Sequence, residues 1–460
     1  MKIIHLANHV LECGNGIVNV MVDLACGQAD AGHEVVVASS GGQYETLLAA
    51  HGVRHLRLVQ EPRPERLLAM CWRLGRMVRA ERPDIVHAHM MTGVLIARVV
   101  RGIGPGATYR LVSTVHNEFQ RSATVMGIAD RVVAVSTAVA ASMRRRGVSD
   151  TRLRTIPNGT INSPRTAVSR RAPPDAVTTT RGKLAHPAAS VQAVRPAAPS
   201  AAVQSVGSGV LSAALQTAGS AAPSVVARAV GSAVPSAVVQ AVGSAVPAET
   251  AQAARSVAPS AAGAAARLKR PNVMTVAGMY RRKGIDVLLR AFALVAGGQV
   301  TNAHLYIVGE GPDREEFETL SHELGLDDCT HFLGFRADVP ALLAACDVFV
   351  LPSLQEPFGL VISEAREAGC AVVASDVGGI PEAMDFGQAG LLVPPGDHEA
   401  LGGVLNDLLA DEALRESWRA RARLDLDWLK VERVNADYLA LYEEVLGRPA
   451  LPAMAASGAR

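Results

Sequence analysis

Two carboxylates bracket a mostly apolar run in SLQEPFGLVISEAREAG, residues 353–369: Glu356 opens a Glu-Pro-Phe-Gly turn, and Glu364 lies further along. The apolar spacing predicts a helix from Leu360 to Ala368 that stops at Gly369. Helical spacing would put the two carboxyls about 12 Å apart along the axis at ~1.5 Å per residue. Ordinary glycoside hydrolases hold their pair at about 5 to 9 Å, so separate tasks are expected of these two. In VAGMYRRKGIDVLLRAF, Gly278 follows a strand-like run, and Arg281, Arg282, Lys283 and Gly284 precede an amphipathic helix. Basic side chains on a strand-to-helix loop beside a helix N-terminus suit a diphosphate. IVGEGPDREEF adds Gly309 and Gly311, and DVGGIPEAM adds Gly378, Gly379 and Glu382. Loops of one type at the carboxyl ends of strands predict a nucleotide-sized ligand.

These loops need a sheet to carry them. In the first 165 residues KIIHLA, HEVVVAS, DIVHAH, RLVSTVH, DRVVAVS and RLRTIP read as strands, with helical segments such as Asn19–Ala31 and Arg66–Glu81 between them. A second series runs NVMTVAG, HLYIVGEG, THFLGF, VFVLPS, AVVASD and AGLLVPP. Alternation of this kind predicts α/β architecture with parallel sheets, here two Rossmann-like domains in tandem, at 1–165 and 271–425. Residues 426–447 are expected to form a C-terminal helix that packs back on the first domain, and 448–460 a disordered tail. Between the domains, 166–270 holds a twelve-residue repeat that starts at Pro187, six of whose seven units begin with Pro. Its Ala, Ser and Val offer too little bulk for a stacked solenoid, so this low-complexity insert is expected to be disordered.

At 460 residues with 4% aromatics, the chain relies on aliphatic side chains for its cores. The six cysteines show no CxxC spacing and are expected to be small buried side chains of a reducing cytosol. No apolar run reaches the ~18 residues of a spanning helix. The net charge of +2 is unevenly spread: residues 1–165 carry 20 Lys and Arg against 12 Asp and Glu, 166–270 carry 10 against 2, and 271–460 carry 15 against 29. A basic front half suggests an anionic partner there.

GMYRRKG, IVGEGP, CDVFVLPSLQEPFGLVISEA and SDVGGIPE, in this order and spacing, closely resemble the retaining nucleotide-sugar glycosyltransferases of family 4. The resemblance covers roughly residues 1–165 and 271–446. It implies the GT-B fold, in which two Rossmann-like domains face a central cleft, with the insert between them. It gives Glu356 the hydroxyls of the donor sugar, Glu364 the ribose hydroxyls, and the backbone N–H groups of Phe358, Gly359 and Leu360 a place near the diphosphate. Glu367 is expected to be solvated. Lys283 matches the family lysine, whereas Met279 stands where the family has an arginine, so Arg281 or Arg282 would substitute. In the first half Gly14 and Gly16 of ECGNGIVN match the phosphate-approaching glycine loop, and His116 of STVHNEF matches a histidine near the reacting centre. His87 and His89 of the HAH run are expected to face away from each other.

The resemblance implies sugar transfer to an acceptor hydroxyl with retention of configuration, the leaving diphosphate being stabilised by Lys283 and an arginine. No cofactor and no metal are expected. The acceptor, a saccharide or a lipid-linked glycan of the cell envelope or an exopolysaccharide, would meet the basic first domain, through Arg144, Arg145 and Arg146 and the segment RLLAMCWRLGRMVRAERPD. Peripheral contact with an anionic membrane from the cytoplasm is expected, and nucleic acid is not. Rival readings are a transferase for small-molecule acceptors, an epimerase or hydrolase of the same fold, and a non-catalytic nucleotide-sugar-binding partner protein.

Overall fold

The computed structural model describes residues 1–60, 66–103, 108–166, 268–298, 300 and 302–448. The twelve-residue repeat up to residue 267 and the tail beyond Arg448 lie outside the described residues. The first domain runs β1 (Lys2–Leu6), α1 (Gly16–Asp30), β2 (Glu34–Ser39), α2 (Glu45–Ala50), β3 (Arg54–Arg57), α3 (Leu67–Glu81), β4 (Ile85–Ala88), α4 (Met91–Ile103), β5 (Arg110–Val115), β6 (Arg131–Ala134), α5 (Thr137–Arg145) and β7 (Leu153–Thr155). The second runs β8 (Asn272–Val276), α6 (Ile285–Ala296), β9 (His304–Val308), α7 (Arg314–Glu323), β10 (Thr330–Gly334), α8 (Val339–Ala344), β11 (Val348–Leu351), α9 (Leu360–Ala368), β12 (Ala371–Ser375), α10 (Ile380–Ala383), β13 (Leu391–Val393), α11 (His398–Ala410) and α12 (Glu412–Ala422). A last helix, α13 (Val431–Leu446), follows.

Both sheets are wholly parallel, in the orders β3-β2-β1-β4-β5-β6-β7 and β10-β9-β8-β11-β12-β13. In each, the strand order reverses between the first strand and the fourth, and the crevice outside the carboxyl ends at that point is where open α/β sheets take ligands. The inner strands are rich in Val, Ile, Leu and Ala because a parallel sheet is covered on both faces. The edge strand β3, RHLR, is exposed at both ends and half-buried at His55 and Leu56, and the apolar pattern did not reveal it. Of the cysteines, all free, Cys13 is exposed rather than buried, because it lies in the loop after β1 and not on an element.

One face of the first sheet is closed by α1 and by α13, which returns from the far end of the second domain. Ile3, Ile85, Val112 and Val133 of four neighbouring strands pack there with Val20 and Leu24 of α1 and with Val434, Tyr438, Leu441 and Tyr442 of α13. The two crossings of the chain between domains run side by side: Ile161 pairs with Lys430, with Ile161 N donating to Leu429 O at 3.2 Å and Val431 N to Ile161 O at 2.9 Å.

In the second domain, the largest fully buried side chain is that of Arg366 on α9. Its guanidinium donates to the carbonyls of Ala422 (3.0 Å), Ala383 (2.8 Å) and Leu424 (2.8 Å), tying α9 to α10 and to the end of α12. Arg366→Met keeps the length and leaves three carbonyls without donors, each hydrogen bond to a charged group being worth about 1.5–3 kcal/mol. The denaturant midpoint is expected to fall by an amount equivalent to about 4 kcal/mol or more, and an unchanged midpoint would mean that water replaces the guanidinium.

Candidate functional site

The two loops that follow β8 and β11, neighbours across the second domain's reversal point, bring Lys283 and Glu356 together: Nζ lies 2.5 Å from Oε2. Ser353 Oγ donates to the same oxygen at 3.3 Å. Both charged groups are largely withdrawn from solvent, where a charge-assisted contact is stronger than at the surface. The β8 loop is pinned beneath the β11 loop, because Leu354 N donates to Arg282 O at 2.9 Å. Gly284, at φ +66°, turns into α6 so close to the Pro352 carbonyl that a side chain there would strike it. Gly378 likewise lies against the backbone of Glu356, whose carbonyl accepts from Gly379 N at 3.1 Å. Gly309 touches the Ala277 carbonyl, which holds the third loop against the first.

Glu356 leads directly into α9. Gly359 is its N-cap, left-handed at φ +90°, and no side chain caps the helix. The first N–H groups of a helix have no intrahelical acceptor and carry the positive end of its dipole. The side chain of Phe358 is buried edge-on to Trp428. Across from α9 lies the N-terminus of α1. A Cβ on Gly16 would come within 2.9 Å of Leu360 Cδ1, and one on Gly14 (φ +68°) would touch Phe335. Neither α1 nor α9 has an acidic residue in its first turn, and only α1 is capped, Asn15 Oδ1 accepting from Ile17 N at 3.0 Å, so two positive helix ends meet between the domains.

Further contacts set the carboxyl ends of the two sheets face to face. Glu382 accepts from Thr137 N (2.7 Å) and Thr137 Oγ1 (2.5 Å) at the start of α5. Glu118, after β5, is buried with one carboxylate oxygen unpartnered. Burial raises its pKa, and repulsion from Glu356 adds to the rise. Glu364 is half-buried on α9. Burial raises its pKa, and Arg165 opposes the rise from the first domain. Arg165 is held by Asp23 of α1 in a bidentate pair (2.8 and 2.9 Å). Glu367 is exposed.

The arginines expected to substitute at Met279 are engaged elsewhere. Arg281, 74% exposed, pairs with Glu316 at 2.7 Å, and the Arg282 guanidinium lies 5.4 Å from the centre of the Tyr280 ring. Met279 itself is buried in the core. His116 is half-buried on the loop after β5, its Nε2 3.1 Å from His89 Nδ1. His87 and His89 do not face away from each other. Residues two apart on a strand share a face, and their ring centres are 4.1 Å apart. They sit beside His5, which β1–β4 pairing sets opposite His87. Sequence reading missed Glu118, although it stands two residues from His116 in STVHNEF. It also missed Arg165, His5, Gln28 and Tyr442, whose partners are remote in sequence.

Two family matches fall on these two domains: residues 14–161 match Glycosyltransferase Family 4, and residues 261–425 match Glycosyl transferases group 1. The chain joins a glycosyltransferase family 4 domain to a glycosyltransferase group 1 domain. Among curated relatives of these glycosyltransferase domains, the lipopolysaccharide core biosynthesis glycosyltransferase LpsD of Rhizobium meliloti is 37% identical over 172 residues, 36% of this chain and 49% of that protein. N-acetyl-alpha-D-glucosaminyl L-malate synthase of Bacillus anthracis is 32% identical over 172 residues, 37% of this chain and 45% of the relative. The chain thus spans about half the length of the curated relatives it matches. HepE of Anabaena, solved with UDP and glucose, superposes with a TM-score of 0.64 at 19% identity, over 96% of this chain and all of that one. WaaG, a glycosyltransferase involved in lipopolysaccharide biosynthesis, superposes at 0.59 and 16% identity over 97% of this chain and 100% of its own. The fold of this glycosyltransferase-domain chain is GT-B.

Burial lowers the pKa of His5 to about 4 and of His116 to about 3, and holds His87 and His89 well below 6.5. An unfolded imidazole titrates near ~6.5. Below that pH the unfolded chain binds protons that the folded chain does not, so stability is fully present above ~6.5 and is lost as pH falls. Each neutral buried ring contributes about 1.4 kcal/mol of loss per pH unit. The unfolding midpoint is therefore expected to drop steeply between pH 7 and pH 5, above the carboxylate range. A midpoint flat over that window would show that the rings are charged or solvated.

Proposed function

We propose that the chain transfers a sugar from a nucleoside-diphosphate donor to an acceptor hydroxyl, with retention and without a metal, in the synthesis of a cell-envelope glycan. The observation that carries this reading is the Lys283–Glu356 pair beside the uncapped N-terminus of α9, opposite the glycine loop of the other domain. The donor diphosphate would lie between Lys283 and the N-termini of α9 and α1, which hold the negative charge that develops as the sugar departs. Glu356 would then turn from Lys283 to the sugar hydroxyls, and Glu364 would accept from the ribose diol. The acceptor hydroxyl attacks the anomeric carbon on the face that the diphosphate leaves, and a phosphate oxygen takes its proton. That HepE was solved with UDP and glucose supports such a donor, and the names of LpsD and WaaG support an envelope glycan as product.

Turnover is to be measured across UDP-, GDP- and ADP-sugars. One donor is expected to be consumed, with kcat about 100-fold lower in Glu356→Gln and in Lys283→Met, the usual scale for loss of one charge-stabilising group. Tight nucleotide binding with no turnover of any donor would instead favour the non-catalytic partner.

The acceptor side of this proposal places the enzyme at the cytoplasmic face of a membrane. No helix among the described residues is long and apolar enough to cross one. On α3, Leu68 and Trp72 are each 60% exposed, and the Arg76 guanidinium sits 5.0 Å over the Trp72 ring, with Arg73 and Arg79 on the same helix. Exposed apolar side chains flanked by arginines suit an anionic leaflet, which attracts about 1 kcal/mol per basic residue. Co-sedimentation with vesicles rich in phosphatidylglycerol is expected to weaken about tenfold in a Trp72→Ala, Arg76→Ser double variant. Equal pelleting with neutral vesicles would remove the anionic preference, and no pelleting with either would remove the membrane from the proposal.

A further inference from the structure

Behind His116 a row of hydrogen bonds runs through the first sheet to the helix that closes it. His116 Nε2 meets His89 Nδ1 at 3.1 Å, His89 Nε2 meets His5 Nδ1 at 3.0 Å, and His5 Nε2 meets Oε1 of Gln28 on α1 at 2.8 Å. Beyond Gln28 the row turns back: its Nε2 donates to Tyr442 OH (3.5 Å), which meets His87 Nδ1 (2.7 Å). His87 Nε2 meets Thr114 Oγ1 (2.7 Å), which meets Tyr438 OH (2.8 Å). His5, His87, Gln28 and Thr114 are fully buried, and His89 nearly so.

A neutral imidazole has one N–H and one lone pair, so a ring bonded at both nitrogens donates through one and accepts through the other. In a row of such rings the direction fixed at one end is passed to the other. The amide oxygen of Gln28 can only accept, so His5 must donate to it from Nε2. His5 Nδ1 then accepts from His89 Nε2–H, and His89 Nδ1 accepts from His116 Nε2–H. We propose that Gln28 is a positioning residue that acts through His5 and His89 to fix His116 as the Nε2–H tautomer, so that its Nδ1 offers a lone pair to a hydroxyl of the bound sugar. No described residue engages His116 Nδ1. The loop that carries it also holds Glu118, which feels the charge of Glu356 across the cleft. The fall in pKa of all four rings through burial keeps the row neutral, as this polarity requires.

The same rings could be read as a metal site, since one ligand atom from each of His5, His87 and His89 lies within 4.8 Å of the others. The hydrogen bonds decide against it. All six nitrogens of these three rings are already engaged, by His116, by one another, by Gln28, by Tyr442 and by Thr114. Among the described residues no carboxylate joins the cluster to offset a dication.

The identity of the hydroxyl rests on the proposed sugar transfer, but the tautomer does not, and the two are tested separately. Long-range proton–nitrogen NMR on the full chain labelled at histidine, with His116→Asn to assign the signal, reports which nitrogen bears the proton. The wild type is expected to show His116 protonated at Nε2, and Gln28→Met, which removes both amide atoms at similar length, a mixed or reversed pattern. His89→Leu cuts the row next to His116 and serves if Gln28→Met does not fold. With the donor that is turned over, Gln28→Met is expected to lower kcat about tenfold with little change in KM. A His116 proton on Nδ1 in the wild type, a pattern unmoved by either variant, or stoichiometric zinc in the purified protein would overturn the proposal. Absence of turnover would sink the transferase reading while leaving the tautomer result to stand.

Discussion

A parallel sheet has to be dry on both faces, and in the first domain that requirement reaches across the whole chain. Helices α3, α4 and α5 lie over one face; the other is left to α1, α2 and α13. Because α13 follows the second domain, the first core cannot be completed without the last described helix. The polar side chains on that face, His5, His87 and Thr114, are then shut away from water and must find partners or cost about 1–3 kcal/mol each. They find them in Gln28, Tyr438 and Tyr442, the polar groups that α1 and α13 carry.

The same packing aims the two domains at each other. Each sheet reverses its strand order once, and the loops that carry Gly14, Gly16, Lys283 and Glu356 follow strands at those reversals. Apposition of the two carboxyl edges joins one positive helix end to another with no acidic side chain in either first turn. Such an arrangement favours an anion between the two ends, and Lys283 is held by Glu356 alone of the described carboxylates. A diphosphate that takes Lys283 would free Glu356 for a neutral hydroxyl partner, so one binding event would rearrange both charges. Held in place by glycines pressed against backbone carbonyls, the loops need little reordering to do so.

The strands were legible where Val and Ile run together, and the charged loops where basic or acidic residues meet Gly or Pro. Thus Lys283 and Glu356 could be singled out before their contact was known. The edge strand RHLR lacked the apolar signal because only half of it touches the core. Arg281 and Arg282 could not be told from solvated arginines, since Glu316 and Tyr280 engage them through folding. Least legible was the environment of His116. Its link to Tyr442 passes through α1 and two strands, and sequence separation of that size leaves no local pattern. The HAH run was misjudged for a simpler reason, strand periodicity, which puts its two rings on one side.

The crossing formed by Ile161 and Lys430 also bears on how the chain comes to be folded. A ribosome releases the first sheet long before α13 exists, so the part of its apolar face that α13 covers, and the His87 nitrogen that Tyr442 engages, wait through the making of the entire second domain. At ~5–20 residues per second that interval is on the order of ten seconds or more. For that time the newborn first half is a half-covered sheet, and α13 acts as the latch that closes it.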